Sequence, residues 1–294
     1  MRETLQPLKP LPFEDWTMFR DTFRRDWPTY ACYYNWVVNA INWRERNIES
    51  DWKIYCPGGK YNVGAFVAVA SEGLYRVIVF TFEEFKEDLQ EMIKKADVID
   101  WKQNISFCIV HQPLKTTLMR AIEEIDVMGK LILPRLDYTV TNYFKSRDEC
   151  LTFELQVPDG FYLKSLNVSH VLLVNSLWPH RNKKNPELSR KFLESLVKYN
   201  KSVGLFKKDD DSLISWILLY DFGSLGMLQT VEEHKGKGYG KIVVKALVKQ
   251  LAQEGLDSTL YVVKNNVAAE KLFRSIGYRS LEEYCWISVQ PLSF

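Results

Sequence analysis

The stretch "EHKGKGYGK" occupies residues 233–241 and runs without a break into "IVVKALVKQLAQEG", which has the apolar repeat of an amphipathic helix. Glycine inside a helix costs about 1 kcal/mol relative to alanine. Gly236, Gly238 and Gly240 therefore indicate a turn or a ligand-binding segment at the start of that helix. Consecutive backbone amides in such a turn, together with the partial positive charge of a helix N-terminus, can hold a phosphate group. The stretch predicts a strand, a turn and a helix from Lys241 to Gly255 that together could bind an anion.

Two familiar phosphate motifs do not match this turn. No "GK[ST]" ends it, which excludes a P-loop, and the spacing G-x-G-x-x-G of dinucleotide-binding folds is absent, because the three glycines alternate. A flexible turn with solvated lysines stays open as the alternative for this stretch taken alone. The rest of the chain has to decide between the two.

Composition bounds the class of protein. The chain has 294 residues, of which 46% are hydrophobic, enough for two domains of ordinary size with a core in each. Its 39 basic and 37 acidic residues leave a net charge of +2 without a basic stripe, so we expect no nucleic-acid partner. Apolar runs such as "LYRVIVF" are far below the roughly 18 residues of a membrane span. We expect no membrane partner and a cytoplasmic protein, with the mitochondrion as the alternative.

Cysteine and histidine spacing gives no support for a disulfide framework or a metal site. The odd cysteine count, without any CxxC pair, is typical of buried reduced thiols. The histidines never pair at metal-ligand spacing, so each is interpreted as a packed or solvated residue and no metal is expected. These residues are Cys32, Cys56, Cys108, Cys150 and Cys285, with His111, His170, His180 and His234.

The order of predicted elements divides the chain into two halves. Residues 1–145 read as aromatic-rich helices, a β-meander and further helices, and residues 146–294 repeat that order in outline around the glycine turn. The polar patch "KSRDEC" at residues 145–150 marks the predicted boundary. The sequence predicts a mixed α/β (α+β) class with two tandem domains, each a twisted mixed sheet flanked by helices.

Two motifs resemble the GNAT superfamily of CoA-dependent N-acyltransferases. Lys235, Gly238 and Gly240 take the positions of its signature, Gln or Arg followed by two spaced glycines, with lysine as a departure at the first. The segment "NVAAEKLFRSIGY" at residues 266–278 is similar to its second motif. The segments "LKSLNVSHVLLVNSLW", "SLISWILLYD" and "VIDWKQ" further resemble the glycine N-acyltransferase-like branch. The resemblance covers most of the chain.

This resemblance implies an acyl-CoA co-substrate, with acetyl-CoA the first candidate, held by the second half. The strand backbone would bond the pantetheine amides, the turn would hold the pyrophosphate, and two downstream residues would flank the thiol end. The first half would be a degenerate copy without a CoA site, because "CPGGKYNVG" there has no helix behind it. The implied CoA residues are Leu228, Gln229, Thr230 and Val231, then Lys235, Gly236, Lys237, Gly238, Tyr239, Gly240 and Lys241, and finally Asn266 and Phe273.

The catalytic groups are less evident than the CoA site. Where many GNAT enzymes carry a catalytic glutamate this chain has Gln229, and where the glycine-conjugating branch carries its own glutamate the match falls on Ser224. Neither side chain can act as a base, so both are weak catalytic candidates. Phe273 stands where many members use a tyrosine as acid. Nearby groups could substitute, although each also has an interpretation as a solvated charge or a packed ring: Asp221, Glu232, Glu233, His234 and Tyr278.

The sequence therefore predicts an N-acyltransferase that moves an acyl group, first of all acetyl, to the amine of a small acceptor by direct attack. An amino acid is among the candidate acceptors. Two rival functions stay open: a non-catalytic CoA-binding or interaction protein, because the expected glutamates are missing, and a protein N-acetyltransferase.

Overall fold

The computed structural model describes residues 6–46, 48, 52–71, 74–82, 86–126, 131–132, 137–183 and 185–291. The strands are β1 Leu8–Pro10, β2 Lys53–Pro57, β3 Ala65–Ala70, β4 Arg76–Thr81, β5 Ile105–His111, β6 Leu131–Ile132, β7 Asp137–Lys145, β8 Phe161–Lys164, β9 Ser202–Lys207, β10 Leu213–Leu219, β11 Leu225–Thr230, β12 Ser258–Val263 and β13 Arg279–Pro291. The helices are α1 Trp16–Thr22, α2 Ala31–Glu45, α3 Lys86–Lys94, α4 Lys115–Ile125, α5 Arg147–Leu151, α6 Val171–Leu177, α7 Pro186–Tyr199, α8 Tyr239–Gln253 and α9 Val267–Ser275. Within these ranges no helix is both long and apolar enough to cross a lipid bilayer.

The strands form one continuous mixed sheet that runs through both halves of the chain. Its order is β1-β2-β3-β4-β5-β13-β7-β12-β11-β10-β9-β8, with β6 paired to β13 beside this path. Each half contributes antiparallel strands and one parallel junction, β4 with β5 in the first half and β11 with β12 in the second. Helices cover the sheet, and the predicted mixed α/β class with two tandem units is confirmed.

The last strand of each half lies in the sheet of the other half. Strand β7 belongs to the first half in sequence and pairs antiparallel with β12 of the second half. Strand β13 ends the second half and pairs antiparallel with β5 of the first half. The two exchanged strands also pair with each other at the centre of the sheet. The boundary predicted at residues 145 and 146 stays a prediction, and it falls where the exchanged strand β7 ends.

Helix α2 joins the two halves from the side. It is apolar around most of its circumference, as expected for a helix with packing partners on several sides. Its few polar side chains reach across to the second half. Asn39 donates from Nδ2 to the carbonyl of Asp221 at 2.8 Å, and Trp43 donates from Nε1 to Oδ1 of Asn200 at 2.6 Å. These two hydrogen bonds satisfy polar groups of α2, and they fix the second half relative to the first.

The cysteines are buried thiols, as predicted. All five are buried and none is bonded to another. Burial raises the pKa of the Cys56 thiol to about 12, which keeps it protonated and chemically inert. In the described part of the chain no group of three or more histidine, cysteine, aspartate or glutamate side chains is placed to hold a metal ion.

Candidate functional site

Strand β11 diverges from β12 and leaves one of its edges open. Of the described residues in these strands, only Leu225 and Leu260 pair across the junction. The other edge of β11 stays paired with β10 as far as Thr230, after a register shift near Met227, whose φ of 55° marks a bulge. Peptide groups without a strand partner need other hydrogen-bond partners. From Gly226 onward β11 therefore offers free N–H and C=O groups toward β12.

The glycine turn presents backbone amides at the start of α8. Gly236 and Gly238 have φ values of 76° and 82°, a left-handed conformation that favours glycine. A Cβ at either position would meet nothing within 4 Å, so the backbone conformation and not a lack of space accounts for these glycines. Helix α8 begins at Tyr239, two residues before the predicted start at Lys241, because the left-handed Gly238 is its N-cap.

The amides of residues 236–240 are free to bind. In the described structure the amide of Lys235 donates to the carbonyl of Glu232, the amide of Lys241 donates to that of Gly238, and the amides between them donate to no backbone acceptor. The first turn of a helix leaves such donors unsatisfied, and its dipole adds a partial positive charge. This end of α8 is therefore suited to a phosphate group.

Close packing ties the turn to the open strand. A Cβ on Gly240 would lie 3.3 Å from Cδ1 of Leu272 on α9 and 3.7 Å from Cδ1 of Leu228 on β11. The first turn of α8 can approach both elements because position 240 has no side chain. The free strand edge and the free helix amides are thus neighbours.

Charged side chains around the turn are solvent-exposed. Lys235 forms an ion pair with Glu232, at 2.6 Å between Nζ and Oε2, with half of its side chain exposed. Lys237 and Lys241 are also exposed. Partial loss of water and then the nearby Lys237 lower the pKa of His234, so that imidazole is neutral at physiological pH. The exposed lysines give this turn a positively charged surface that attracts anions.

The residues of the second motif have structural partners. Asn266 is the N-cap of α9, and its side chain accepts from the amide of Ala269 at 3.2 Å. Phe273 is 6% exposed and packs edge-on against Tyr278, with ring centroids 5.5 Å apart. Burial raises the pKa of Tyr278 well above its ordinary value, and its hydroxyl is hydrogen-bonded to Ser258. These contacts hold α9 against the second-half core.

The two catalytic candidates lie at opposite ends of β11. Ser224 precedes the closed end of the junction, is 1% exposed, and its hydroxyl has no hydrogen-bond partner among the described residues. Gln229 lies near the open end. Five residues of extended strand span about 16 Å, so the two side chains cannot serve the same reacting atom. Beside Ser224, the buried Asp221 forms an ion pair with Arg76 of β4.

A small apolar cavity opens beside the bulge of β11. Its volume is about 20 Å³, room for one water-sized group. Gln229 supplies the polar part of its wall, and apolar side chains from α6, the loop after it, β10 and β11 supply the rest. The lining residues are Val174, Leu177, Trp178, Pro179, Trp216, Met227, Leu228 and Gln229.

A circuit of seven aromatic rings crosses the junction next to this cavity. It starts at Trp178 after α6, passes from α7 and the loop before β11 to β13 and β7, and returns to the loop after α6 at His180. Consecutive centroids lie 4.9–6.3 Å apart, within the range of about 4.5–7 Å at which aromatic rings attract. We call this set the aromatic circuit. Its members, in order, are Trp178, Phe192, Tyr220, Phe222, Trp286, Tyr138 and His180.

The aromatic circuit and α8 lie on opposite faces of the sheet. Leu260 and Val262 of β12 pack in the core that contains α8. Tyr261, which lies between them, points to the other face, where its ring centroid is 5.1 Å from that of Trp286. On β11, Gly226 makes room for the ring of Tyr220, because a Cβ there would lie 1.8 Å from it. The gap between β11 and β12 thus has free helix amides on one face and aromatic rings on the other.

Sequence reasoning missed the aromatic circuit. Its members come from positions 138 to 286 and have no common spacing, so only the exchange of β7 and β13 brings them together. The sequence predicts only that His180 is a packed or solvated residue. The one local indication is the "WPH" sequence at residues 178–180, in which Pro179 stiffens the loop that holds two members of the circuit.

Two protein families match separate parts of the chain. Residues 202–287 match the family described as "FR47-like protein". Residues 7–121 match a family described as "Domain of unknown function (DUF5645)". The glycine turn lies within the residues that match the FR47-like family.

Curated relatives and solved structures cover both halves. The chain is 25% identical to glycine N-acyltransferase of Rattus norvegicus over 208 residues, 65% of this chain and 67% of that one. It is 23% identical to the glycine N-acyltransferase-like protein Keg1 of Mus musculus, over 69% of this chain and 71% of that one. The crystal structure of a Drosophila protein superposes with a TM-score of 0.84 at 22% identity, covering 98% of this chain and 100% of that one.

A second solved structure has the same tandem arrangement. It is the tandem GNAT protein from the clavulanic acid biosynthesis pathway, with a TM-score of 0.58 at 13% identity, over 97% of this chain and 98% of that one. The likeness concerns the fold, since the sequences have diverged widely. The diverging strands, the glycine turn and the relatives agree, and together they support a GNAT-type acyl-CoA N-acyltransferase that is similar to the glycine N-acyltransferases.

Proposed function

We propose that the second half binds acetyl-CoA and transfers its acetyl group to the amine of a small acceptor that enters from the opposite face of the sheet. One observation carries the proposal: the free edge of β11 leads directly into the free amides of residues 236–240 at the start of α8. A ligand with amides at one end and phosphates at the other matches that sequence of donors and acceptors. Coenzyme A is such a ligand.

In the proposed complex the pantetheine arm adds to β11 like an extra strand. Residues 228–231 would exchange hydrogen bonds with its amides, and the amides from Gly236 to Lys241 would hold the pyrophosphate, with exposed lysines nearby. Lys235 already forms an ion pair with Glu232, so its contribution to CoA binding is smaller than that of the backbone amides. The same residues were expected from the sequence.

The acyl group we assign is acetyl. The cavity beside Met227 and Gln229 has a volume of about 20 Å³, and Trp178 and Trp216 are among its lining residues. A methyl-sized group suits that space better than a benzoyl ring, because close-packed side chains resist displacement. The walls therefore favour the shortest acyl chain.

The acceptor we assign is a small amine with an apolar or aromatic body. Aromatic rings bind apolar groups and attract an ammonium before it loses its proton. A carboxylate on the acceptor would need a cationic partner. Arg76, the arginine beside Phe192, is 8% exposed and already paired with Asp221, so it is not available to an incoming carboxylate. This chemistry disfavours glycine as the acceptor.

Binding of CoA is tested with Gly238→Asp. The substitution removes the left-handed glycine and adds a negative charge beside the pyrophosphate. Charge-assisted hydrogen bonds contribute about 1.5–3 kcal/mol each, so titration calorimetry should show at least about a tenfold loss of CoA affinity. The matched control is Gly160→Asp, because Gly160 has the same φ of 82° and equally open surroundings but lies outside the turn. Equal affinity in both folded variants would contradict the site.

Turnover is tested by thiol release from acetyl-CoA with a panel of amines. We expect 2-phenylethylamine to be acetylated faster than glycine, and acetyl-CoA to be used faster than benzoyl-CoA. Release with a peptide N-terminus but no small amine would favour a protein N-acetyltransferase. CoA binding without release for any acceptor would favour a non-catalytic CoA-binding protein.

A further inference from the structure

The proposed reaction needs a proton acceptor that the β11 residues do not supply. Gln229 cannot accept the amine proton as a base, and Ser224 is buried at the closed end of the junction. Glu232 and Glu233 lie in the turn after β11, beside the proposed pyrophosphate site and not at the cavity. A base must stand within reach of the acceptor nitrogen, on the face where the acceptor enters.

One titratable side chain of the aromatic circuit meets that requirement. His180 directly follows Trp178 and Pro179, which both line the small cavity. Its ring stacks on Tyr138 of β7, with centroids 5.9 Å apart and planes 23° apart. The loop after α6 therefore carries the imidazole from the β11 side of the gap to the strand beyond β12. His180 therefore lies in the loop that lines the cavity, on the face of the sheet from which the acceptor is proposed to enter.

We propose that His180 is the general base of the acetyl transfer, an assignment that rests on the proposed function. As the neutral amine attacks the thioester carbonyl, the N–C bond forms and the imidazole takes the proton that the nitrogen loses. The C–S bond then breaks, and the thiolate leaves and takes up that proton from the imidazolium. The products are the N-acetyl amine, free CoA thiol and neutral His180, so protons and electrons balance.

The surroundings of His180 keep it neutral and able to accept a proton. Loss of water lowers its pKa from the ordinary 6.5, so more than about 90% of the imidazole is neutral at pH 7.5. Burial raises the pKa of the facing Tyr138 to about 12, which leaves that ring uncharged. The neighbouring Arg181 turns its guanidinium back to the carbonyl of Trp178, at 3.1 Å. Part of His180 is covered by its neighbours and part stays exposed, so the acceptor can reach it.

The test compares His180→Phe with a second histidine on the same side of the molecule. Phenylalanine keeps a ring on Tyr138 and removes the proton acceptor, and we expect kcat for acetyl-CoA with the best amine of the panel to fall at least about 100-fold. The control is His170→Asn, since burial also lowers the pKa of His170. His170 accepts from the amide of Asn167 through Nδ1, a bond that the asparagine amide oxygen can keep, and it lies outside the circuit. We expect that control to retain wild-type kcat.

Two further measurements separate a base from a packing role. For the wild type, kcat should fall as the pH drops through the pKa of His180, below 6.5, because the protonated imidazole cannot accept a proton. That acid limb should be absent in His180→Phe. In His180→Ala, added imidazole should restore turnover in proportion to its neutral fraction.

The outcomes are distinguishable by calorimetry and kinetics together. Wild-type kcat and an unchanged acid limb in a His180→Phe variant that still binds CoA would overturn the assignment of the base. Loss of activity in His180→Phe without rescue of His180→Ala by imidazole would reduce His180 to a packing residue and overturn it as well. No thiol release by the wild type with any amine would overturn the proposed function, and the base with it.

Discussion

The two parallel junctions of the sheet are both paired over a short stretch, and they have opposite surroundings. In the first half β4 and β5 pair only at Arg76 with Ser106 and at Val77 with Phe107, among the described residues. All six residues of β4 are nevertheless buried. In the second half β11 and β12 pair only at Leu225 with Leu260 among the described residues, and five of the six residues of β11 keep some exposure. A short parallel pairing alone therefore does not make a binding site.

Aromatic side chains from α2 and the flanking strands fill the first junction. The hydroxyl of Tyr33 donates to the carbonyl of Ile109 at 2.8 Å, and Ile109 has a φ of 45°, similar to the bulge at Met227. The ring of Tyr33 lies 4.6 Å from that of Phe80. A side chain of the protein thus satisfies a peptide group of β5, the strand that corresponds to β12.

The turns after the two strands also differ. The glycine turn follows β11, whereas "FEEF" at residues 82–85 follows β4, with two glutamates and no glycine. Residues 83–85 lie outside the described ranges. Acidic side chains repel phosphate, and residues other than glycine rarely adopt the left-handed conformation of Gly238. The comparison supports the prediction that the first half has no CoA site, and it indicates that binding requires both a free strand edge and free helix amides.

The largest effect we predict concerns the ion pair that joins the closed ends of the two junctions. Asp221→Asn would leave the guanidinium of Arg76 buried without its counter-charge, and breaking a buried pair in this way costs about 3–5 kcal/mol. Urea denaturation should show a loss of that size in the free energy of unfolding. The double variant Arg76→Met with Asp221→Leu should recover most of it. A loss below about 1 kcal/mol in Asp221→Asn would show that the pair does not hold the halves together.

A smaller effect is expected from opening the first junction at one hydrogen bond. Tyr33→Phe leaves the carbonyl of Ile109 without its donor in the core, which should cost about 1–3 kcal/mol of stability. Tyr55→Phe is the control, because the half-buried Tyr55 lies on β2, away from this junction. CoA affinity should stay unchanged in both. Weaker CoA binding in Tyr33→Phe would mean that the two junctions are coupled.

The smallest effect is expected at Ser224. Its buried hydroxyl has no hydrogen-bond partner among the described residues, so Ser224→Ala removes an unsatisfied polar group and should change stability by less than about 1 kcal/mol. We also expect kcat for the best amine to stay within about twofold of the wild type. A large loss of kcat at unchanged stability would instead show that Ser224 takes part in catalysis.

Local features of the site could be predicted from sequence, and long-range ones could not. Gly236, Gly238 and Gly240 indicate the turn because their conformational effect is confined to neighbouring residues. The start of α8 was placed two residues late, because a left-handed Gly238 can cap a helix as well as precede a loop. Asn266 is another local feature, because its role as N-cap depends only on the helix that it begins.

The meeting of His180 with Tyr138 has no counterpart in sequence patterns. Tyr138 reaches the second half because β7 pairs with β12, and the alternation of apolar residues along β7 is compatible with either half of the sheet. Ser224 illustrates the same limit, since a match to a family position says nothing of whether a side chain is buried. Burial and strand partner are properties of the whole fold.

The exchange of β7 and β13 has a consequence for synthesis. The ribosome releases β5 early, but its partner β13 contains the last described residues of the chain. Until then the first half carries an unpaired strand edge, the kind of edge that other chains can pair with. Pairings between strands so distant in sequence also form slowly. Neither half can finish its sheet before the other, so we expect both to become protease-resistant in a single late step, and a chain that stalls before residue 279 to depend on chaperones.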